Sequence, residues 1–249
     1  MKRFRLHARI VLLALLAIAG SARSQNVDVR ARILIVQKHL RKPAAHAPSP
    51  ALSAAPWPAP APEVVVWLKP LDPSPSFRPP PPGRFRMAQK NKSFQPHLLV
   101  IPLGSTVAFP NLDPFFHNVF SQFDGKRFDL GLYEAGTTRD VRFDHEGVSY
   151  IFCNIHPEMG AVIITVSSPW YTISSGGSIL LPAVPSGMYE LRVWASGADA
   201  GQLDALTRRV RIAPDADSLG SISIETDAKP AAHKNKFGND YRPDASPVY

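Results

Sequence analysis

Cysteine is nearly absent from this sequence, because Cys153 is the only one in 249 residues. A single cysteine excludes an internal disulfide framework and a zinc site built from several cysteines. It leaves three roles for Cys153: an intermolecular bridge, a free thiol or a ligand. The sequence also lacks a phosphate-binding loop and paired carboxylates, so no hydrolytic site stands out.

Acidic residues are absent from residues 1–24, where the basic residues are Lys2, Arg3, Arg5, Arg9 and Arg23. An apolar run over residues 10–19 follows the basic start, and residues 22–24 have the small-x-small pattern of a cleavage site. Together these features predict a secretory signal peptide over residues 1–24 and export to a bacterial periplasm. Five of the eight net positive charges belong to this segment. The remainder is too small to predict nucleic-acid binding.

Long apolar runs are absent after residue 24, which predicts no membrane helix once the signal is removed. No amphipathic helical pattern is found either. Short apolar runs instead recur about every ten residues from Phe85 onward, which is typical of an all-β sandwich. The predicted strands lie near Phe85–Gln89, His97–Ile101, Thr106–Pro110, Asn118–Ser121, Arg127–Leu130, Thr138–Phe143, Val148–Phe152 and Ala161–Val166.

Proline is concentrated between residues 43 and 82, which hold 14 of the 26 prolines. Because proline lacks an amide donor, these residues predict linkers at 43–62 and 72–84. Strands are predicted on both sides of the first linker and again after residue 169. These strands are Val27–Val36, Glu63–Leu68, Tyr171–Ile173, Ser178–Leu181, Tyr189–Trp194, Thr207–Ile212 and Ser221–Ile224. The polar tail over residues 227–249 is predicted to be disordered.

The residues around the single cysteine form a Cys-x-x-His-x-x-Met pattern, made of Cys153, His156 and Met159. His117 lies upstream, at the start of another predicted strand. One thiolate, two imidazoles and one thioether are the ligands of a blue-copper centre, in which a His₂Cys plane is completed by a weak axial methionine. The sequence therefore predicts a site for one mononuclear copper ion. His97, next to Pro96, is a weaker candidate and is expected to be structural or at the surface.

Several stretches of residues 85–168 resemble the cupredoxins, and in particular amicyanin and the bacterial methylamine-utilisation-like proteins. These stretches are Met87–Phe94, Pro96–His97, Phe109–Asn111, His117–Ser121 and Cys153–His156, followed by Pro157. The resemblance implies a Greek-key β-sandwich with copper bound by His117, Cys153, His156 and Met159. It also implies that Asn118 joins the two ligand loops by hydrogen bonds and that His156 presents its outer edge to solvent. Amicyanin usually has proline between the cysteine and the histidine, where this loop has Asn154 and Ile155.

The run Leu181–Leu191 resembles a carboxypeptidase regulatory-like domain, a smaller transthyretin-like β-sandwich. The segment after residue 169 has the later half of that pattern and lacks its first two strands. Val27–Val36 and Glu63–Leu68 are suitable candidates for those strands. We therefore expect residues 26–71 and 169–226 to form one discontinuous unit, with the copper unit inserted between them. The alternative is that Glu63–Leu68 is the first strand of the copper unit.

The ligand set predicts a periplasmic carrier of single electrons that meets a protein donor and a protein acceptor and is not an enzyme. Three alternatives stay open. The chain could bind or deliver copper without a redox partner, or it could be an interaction module of the cell envelope. It could also be a cysteine-dependent enzyme, with Cys153 as nucleophile and a nearby histidine as base.

Overall fold

The computed structural model describes residues 25–37, 62–72, 77–122, 125–227 and 234–241. The predicted signal peptide and nearly all of the first linker lie outside these residues. The described residues form 17 strands and one short helix, so the all-β fold class is confirmed. Among them, no helix has the length and apolar character needed to cross a membrane.

The strands follow one another closely along the chain. In order they are β1 Asn26–Gln37, β2 Val64–Pro70, β3 Arg84–Arg86, β4 Ala88–Gln89, β5 Phe94–Gln95, β6 Leu98–Pro102, β7 Thr106–Pro110, β8 His117–Ser121, β9 Phe128–Tyr133, β10 Thr138–Arg142, β11 Gly147–Phe152, β12 Gly160–Val166, β13 Tyr171–Ser174, β14 Gly177–Pro185, β15 Gly187–Ala195, β16 Arg208–Ile212 and β17 Ser218–Thr226. The helix, α1, is Ala200–Leu206 and is capped by Asp199, whose side chain accepts hydrogen bonds from two backbone N–H groups of the first turn.

Residues 84–166 form a β-sandwich, which we call the copper unit. A five-stranded sheet in the order β6-β12-β11-β8-β9 packs on a three-stranded sheet in the order β10-β7-β3. Alternate apolar side chains of both sheets enclose one core that includes Phe109, Tyr133 and Ile163. Cys153 and Met159 are part of the same core. Two of the ligand candidates are therefore anchored in this core, on the loop between β11 and β12.

A second sandwich is built from two distant parts of the chain. Its sheets have the orders β14-β1-β17 and β13-β2-β15-β16. Strand β2 pairs with β13 on one side and β15 on the other, with Leu68 opposite Leu191. Residues before and after the copper unit therefore share one sheet and one core, as in the discontinuous arrangement. The boundaries of that unit and its likeness to a carboxypeptidase regulatory-like domain stay predictions.

Strand β2 also explains how the two sandwiches meet. Its Val64, Val66 and Leu68 side chains enter the core of the second sandwich. Val65 and Trp67 point the other way and pack against the β6 and β12 side chains of the copper unit. Because both faces of β2 are covered, its sequence is continuously apolar instead of alternating.

The tail differs in part from its prediction. Residues 234–241 form a turn stabilised by the side chain of Asn235, which accepts hydrogen bonds from the backbone N–H groups of Phe237 (3.0 Å) and Asn239 (3.1 Å). Gly238 has φ +79°, a left-handed conformation that suits glycine. The prediction of disorder over residues 227–249 is therefore wrong for these eight residues, because local turn bonds and contacts with the copper unit hold them.

Candidate metal centre

Strand register brings the two predicted ligand regions to the same end of the copper unit. Strands β8 and β11 are antiparallel neighbours, and Phe120 lies opposite Phe152. In an antiparallel pair, moving toward the start of one strand moves toward the end of the other. His117, at the start of β8, therefore lies beside the loop that begins with Cys153, just after β11.

Three ligand atoms converge at this end of the sandwich. The Cys153 Sγ atom lies 3.8 Å from His117 Nδ1 and 3.6 Å from His156 Nδ1. All three residues are buried, and the two imidazole rings lie 4.8 Å apart between centroids. The predicted His₂Cys set is thus assembled with both histidines offering the same ring nitrogen to one point.

Met159 lies at the end of the loop between β11 and β12, on the side that faces the core. Its side chain is fully buried in the core of the copper unit. Its backbone N–H group donates to the His156 carbonyl (3.1 Å), and its carbonyl accepts from the Cys153 N–H group (3.3 Å). These two bonds fold residues 153–159 into a tight turn that places Met159 near the other three candidates. Its role as the axial ligand stays a prediction.

The surroundings of the sulfur suit a bound thiolate. Burial raises the pKa of the Cys153 thiol, and hydrogen bonds from the backbone N–H groups of Asn118, Ile155 and His156 offset this only in part. Those N–H groups point at the sulfur and would stabilise its negative charge once the proton has left. Metal binding by a thiol releases that proton. A buried donor set of one sulfur and two imidazole nitrogens therefore fits copper. Copper, the predicted cofactor, is confirmed by this donor set.

Asp113 fixes the orientation of His117. The His117 Nε2 atom lies 2.8 Å from Asp113 Oδ2. Asp113 is itself held by the backbone N–H groups of Asn91 (2.6 Å) and Lys92 (2.9 Å). Burial acts to raise the pKa of Asp113, but the hydrogen bonds from Lys92, His117 and Asn91 together lower it, so the group is ionised. A carboxylate that accepts the Nε2 proton leaves Nδ1 free for a metal.

Sequence reasoning missed Asp113. It is the only acidic residue between Thr106 and Ser121, four positions before His117. An acidic residue at that spacing from a candidate ligand indicates a possible hydrogen-bond partner for the histidine.

An Asp113→Asn variant is expected to bind copper roughly 10- to 100-fold more weakly, the usual cost of losing a partner of a ligating histidine. The asparagine amide cannot accept from both backbone N–H groups and His117 at once. Asp140→Asn is the matched control, because Asp140 pairs with Arg84 at 2.7 Å in the same unit, away from the ligands. Competition titration with a chelator measures both variants, and equal affinities would contradict the role of Asp113.

Protonation of the two histidines opposes folding of the metal-free protein in acid. Burial lowers the pKa of His117, with Asp113 opposing, and burial and then the charge of His117 lower the pKa of His156. In the pH range between the lowered pKa values of the folded protein and the ordinary histidine pKa of 6.5, the unfolded chain binds more protons than the folded one. The stability contributed by the neutral rings is complete above pH 6.5 and is lost as pH falls through the folded-state pKa values.

The free energy of unfolding of the metal-free protein is therefore expected to fall as pH drops from about 7 to about 5. Denaturant titration across this range measures it. A His156→Phe variant should show a shallower dependence, because it lacks one of the two buried imidazole rings. A wild-type stability that is flat over this range would contradict the expectation.

His156 is less exposed than predicted. Its residue exposure is 5%, against 0% for His117, so the order of the two is as expected. However, the Nε2 atom of His156 is out of contact with solvent, and no hydrogen-bond partner for it is found among the described residues. The prediction that this histidine presents its outer edge to solvent is wrong, since neighbours such as the Phe115 ring, 5.7 Å away between centroids, pack around it.

Asn118 contacts the second ligand loop through its backbone and not through its side chain. Its side-chain amide donates to Asp129 Oδ1 (2.7 Å) and to the Gly131 carbonyl (3.0 Å), both on β9. The link from this residue to the second ligand loop comes from its backbone N–H group, which faces the Cys153 sulfur. His97 lies outside the cluster, with its Nε2 atom 2.7 Å from Glu63 Oε2, in agreement with its structural expectation.

No protein-family model matches the chain, and no curated protein matches it. Solved structures do match part of it. A purple cupredoxin from Nitrosopumilus maritimus is 24% identical over 33% of this chain and 99% of its own, with a TM-score of 0.30. Amicyanin from Paracoccus versutus is 20% identical over 33% of this chain and 81% of its own, with a TM-score of 0.32. The neighbours are cupredoxins.

A third neighbour corrects one prediction. A copper-containing nitrite reductase from Thermus scotoductus SA-01 is 26% identical over 39% of this chain and 25% of its own, with a TM-score of 0.32. A copper-containing enzyme is thus found among the structures that match part of this chain. This match contradicts the prediction that the chain is not an enzyme.

Proposed function

We propose that this chain is an exported copper protein that carries single electrons between protein partners in the periplasm. The observation that carries the proposal is the buried convergence of Cys153 Sγ with the Nδ1 atoms of His117 and His156. Copper bound there would supply one-electron redox chemistry between Cu(I) and Cu(II). The residues of the chain supply everything else, namely position, charge balance and exclusion of water.

Each ligand has a separate task in this proposal. Cys153 gives a thiolate whose charge is balanced by backbone N–H groups. His117 is aimed by Asp113, and His156 is held by the turn that ends at Met159. Met159 would supply a weak thioether ligand, which would affect the potential more than the affinity. Because all four residues are buried and the loop that carries three of them is joined to two packed strands, the site would rearrange little between the two oxidation states.

The apolar residues around the site are the proposed docking face for a redox partner. Leu112 and Phe116 are large exposed apolar side chains beside the ligand strand, at 47% and 36% exposure. Pro114 and Pro157 are also exposed, one on each ligand loop. Phe115 contacts the rings of both histidines, with centroids 5.1 and 5.7 Å away. A small apolar face of this kind suits the weak, quickly reversed contacts of electron carriers.

Optical and electrochemical measurements on the copper-loaded full chain test the proposal. We expect an intense visible sulfur-to-copper absorption and a reversible one-electron wave at an electrode. A copper-delivery protein would instead release Cu(I) readily to an acceptor and show no reversible wave. A chain that binds zinc in preference and never develops colour would contradict copper binding itself. Turnover that requires the free thiol and no metal would favour a cysteine-dependent enzyme.

A further inference from the structure

The turn at residues 234–241, here called the C-terminal clip, lies against the loop that carries Cys153 and His156. It joins the copper unit after the chain has completed the second sandwich. The backbone N–H group of Lys236 donates to Asn154 Oδ1 at 3.0 Å. The Tyr241 hydroxyl donates to the Cys153 carbonyl at 2.7 Å. Both acceptors belong to the first two residues of the ligand loop.

The same clip is bonded to β9 and to the end of β8, the strand that begins with His117. Lys236 Nζ lies 2.7 Å from Asp129 Oδ2 on β9. Asp129 Oδ1 in turn accepts from the side chain of Asn118, the residue after His117. The side-chain amide of Gln122, which follows β8, donates to the Lys236 carbonyl. Both halves of the metal site are therefore connected through Lys236.

The position of these bonds matters more than their number. The Cys153 carbonyl belongs to the peptide that leaves the cysteine, so the Tyr241 bond restrains the peptide plane next to the sulfur. Asn154 is the next residue, and the Lys236 bond restrains its side chain. A surface ion pair alone stabilises little. A set of bonds from one ordered turn, however, can restrict the few dihedral angles that separate Sγ from His156.

From these contacts we infer that Lys236 and Tyr241 are positioning residues for the copper site, and that the C-terminal clip sets the geometry and retention of the metal. The inference rests on the proposed copper function. It assigns a task to a segment whose composition gives no sign of one. The clip acts through the backbone of the ligand loop, so neither residue touches the metal.

The test compares Tyr241→Phe and Lys236→Met in the full chain with the wild type. Tyr241→Phe removes one hydroxyl and keeps the ring, so it should preserve the fold. We expect each variant to keep its colour with an altered ratio of the sulfur-to-copper bands, and Tyr241→Phe to lose Cu(I) to a chelator roughly tenfold faster, as for other partners of metal ligands. Removing residues 234–249 should have a larger effect in the same direction.

Matched controls are available for both changes. Lys126 pairs with Asp144 at 2.6 Å with side-chain exposures of 23% and 48%, close to the 26% and 40% of the Lys236–Asp129 pair. Lys126→Met removes a comparable ion pair away from the ligand loop. Tyr171→Phe removes a hydroxyl from the second sandwich. Both controls are expected to keep the wild-type spectrum and release rate.

The outcomes separate this inference from the proposed function. Variants with a wild-type spectrum and release rate, in a protein that is blue, would overturn the inference and leave the proposed function intact. A wild-type protein without colour would overturn both. Amide hydrogen exchange in the metal-free chain tests the docking itself. Exchange at the Lys236 amide should be slowed in the wild type and faster in Tyr241→Phe, and an unprotected wild-type amide would also overturn the inference.

Discussion

Replacing Cys153 by serine is expected to abolish the visible absorption of the copper-loaded protein. The colour of such a centre arises from charge transfer between sulfur and copper, and a serine hydroxyl is a harder and much less acidic ligand. Copper affinity should fall by more than roughly 100-fold, beyond the usual cost of losing an outer partner of a ligand. Absorption spectra and competition with a Cu(I) chelator measure both effects.

The control for this substitution is His97→Asn. His97 lies near the start of the copper unit and contacts Glu63 instead of the cluster. Its replacement should leave colour and affinity unchanged. The thermal unfolding of metal-free Cys153→Ser should be recorded alongside, because Cys153 is fully buried and a lost fold would also remove the colour. A folded Cys153→Ser protein that stays blue would refute the assignment of the thiolate ligand.

The ligand candidates could be recognised from sequence because their evidence is chemical and local. Cys153, His156 and Met159 occupy one short loop, and few other roles suit that combination in a chain with one cysteine. His117 could be added to this set because it lies at the start of a predicted strand. Residue type and spacing therefore predicted the cluster that the fold assembles.

The residues that support the ligands could not be recognised in the same way, because they depend on long-range register. Tyr241 reaches Cys153 across 88 positions, and Lys236 reaches Asp129 across 107. No periodicity in the sequence reports such a contact. The polar composition of the tail predicted disorder because few apolar side chains are available to bury. Its bonds are polar, and the surface that receives them exists only after the sandwich has folded.

Burial of the site was misjudged for a related reason. The exposure of His156 was inferred from resemblance, whereas it depends on which side chains surround the loop in this chain. The helix α1 was missed because it has seven residues and buries none of them, so it leaves no apolar period in the sequence. Strand β2 was predicted, but its continuous apolar run is consistent with either sandwich. Only the strands with which β2 pairs show that it belongs to the second sandwich.

Replacing Leu68 by alanine is expected to destabilise the second sandwich by about 2–5 kcal/mol. Leu68 lies on the central strand β2, is fully buried and pairs opposite Leu191. Its truncation leaves a cavity in a core built from both chain segments. Leu34→Ala on β1 is the control, because Leu34 is 44% exposed and should cost less than about 0.5 kcal/mol.

Two signals can follow the two sandwiches separately. Of the described tryptophans, Trp170 lies in the second core, and Trp67 and Trp194 lie where the second sandwich meets the copper unit, so their fluorescence reports that sandwich and its contact. The visible copper absorption reports the copper unit. Because the Leu68 side chain lies in the second core, Leu68→Ala should shift the fluorescence transition to lower denaturant while the colour of the folded protein is unchanged. Ile151→Ala, in the core of the copper unit, should act on the colour first. The reverse pattern would show that β2 supports the copper unit instead.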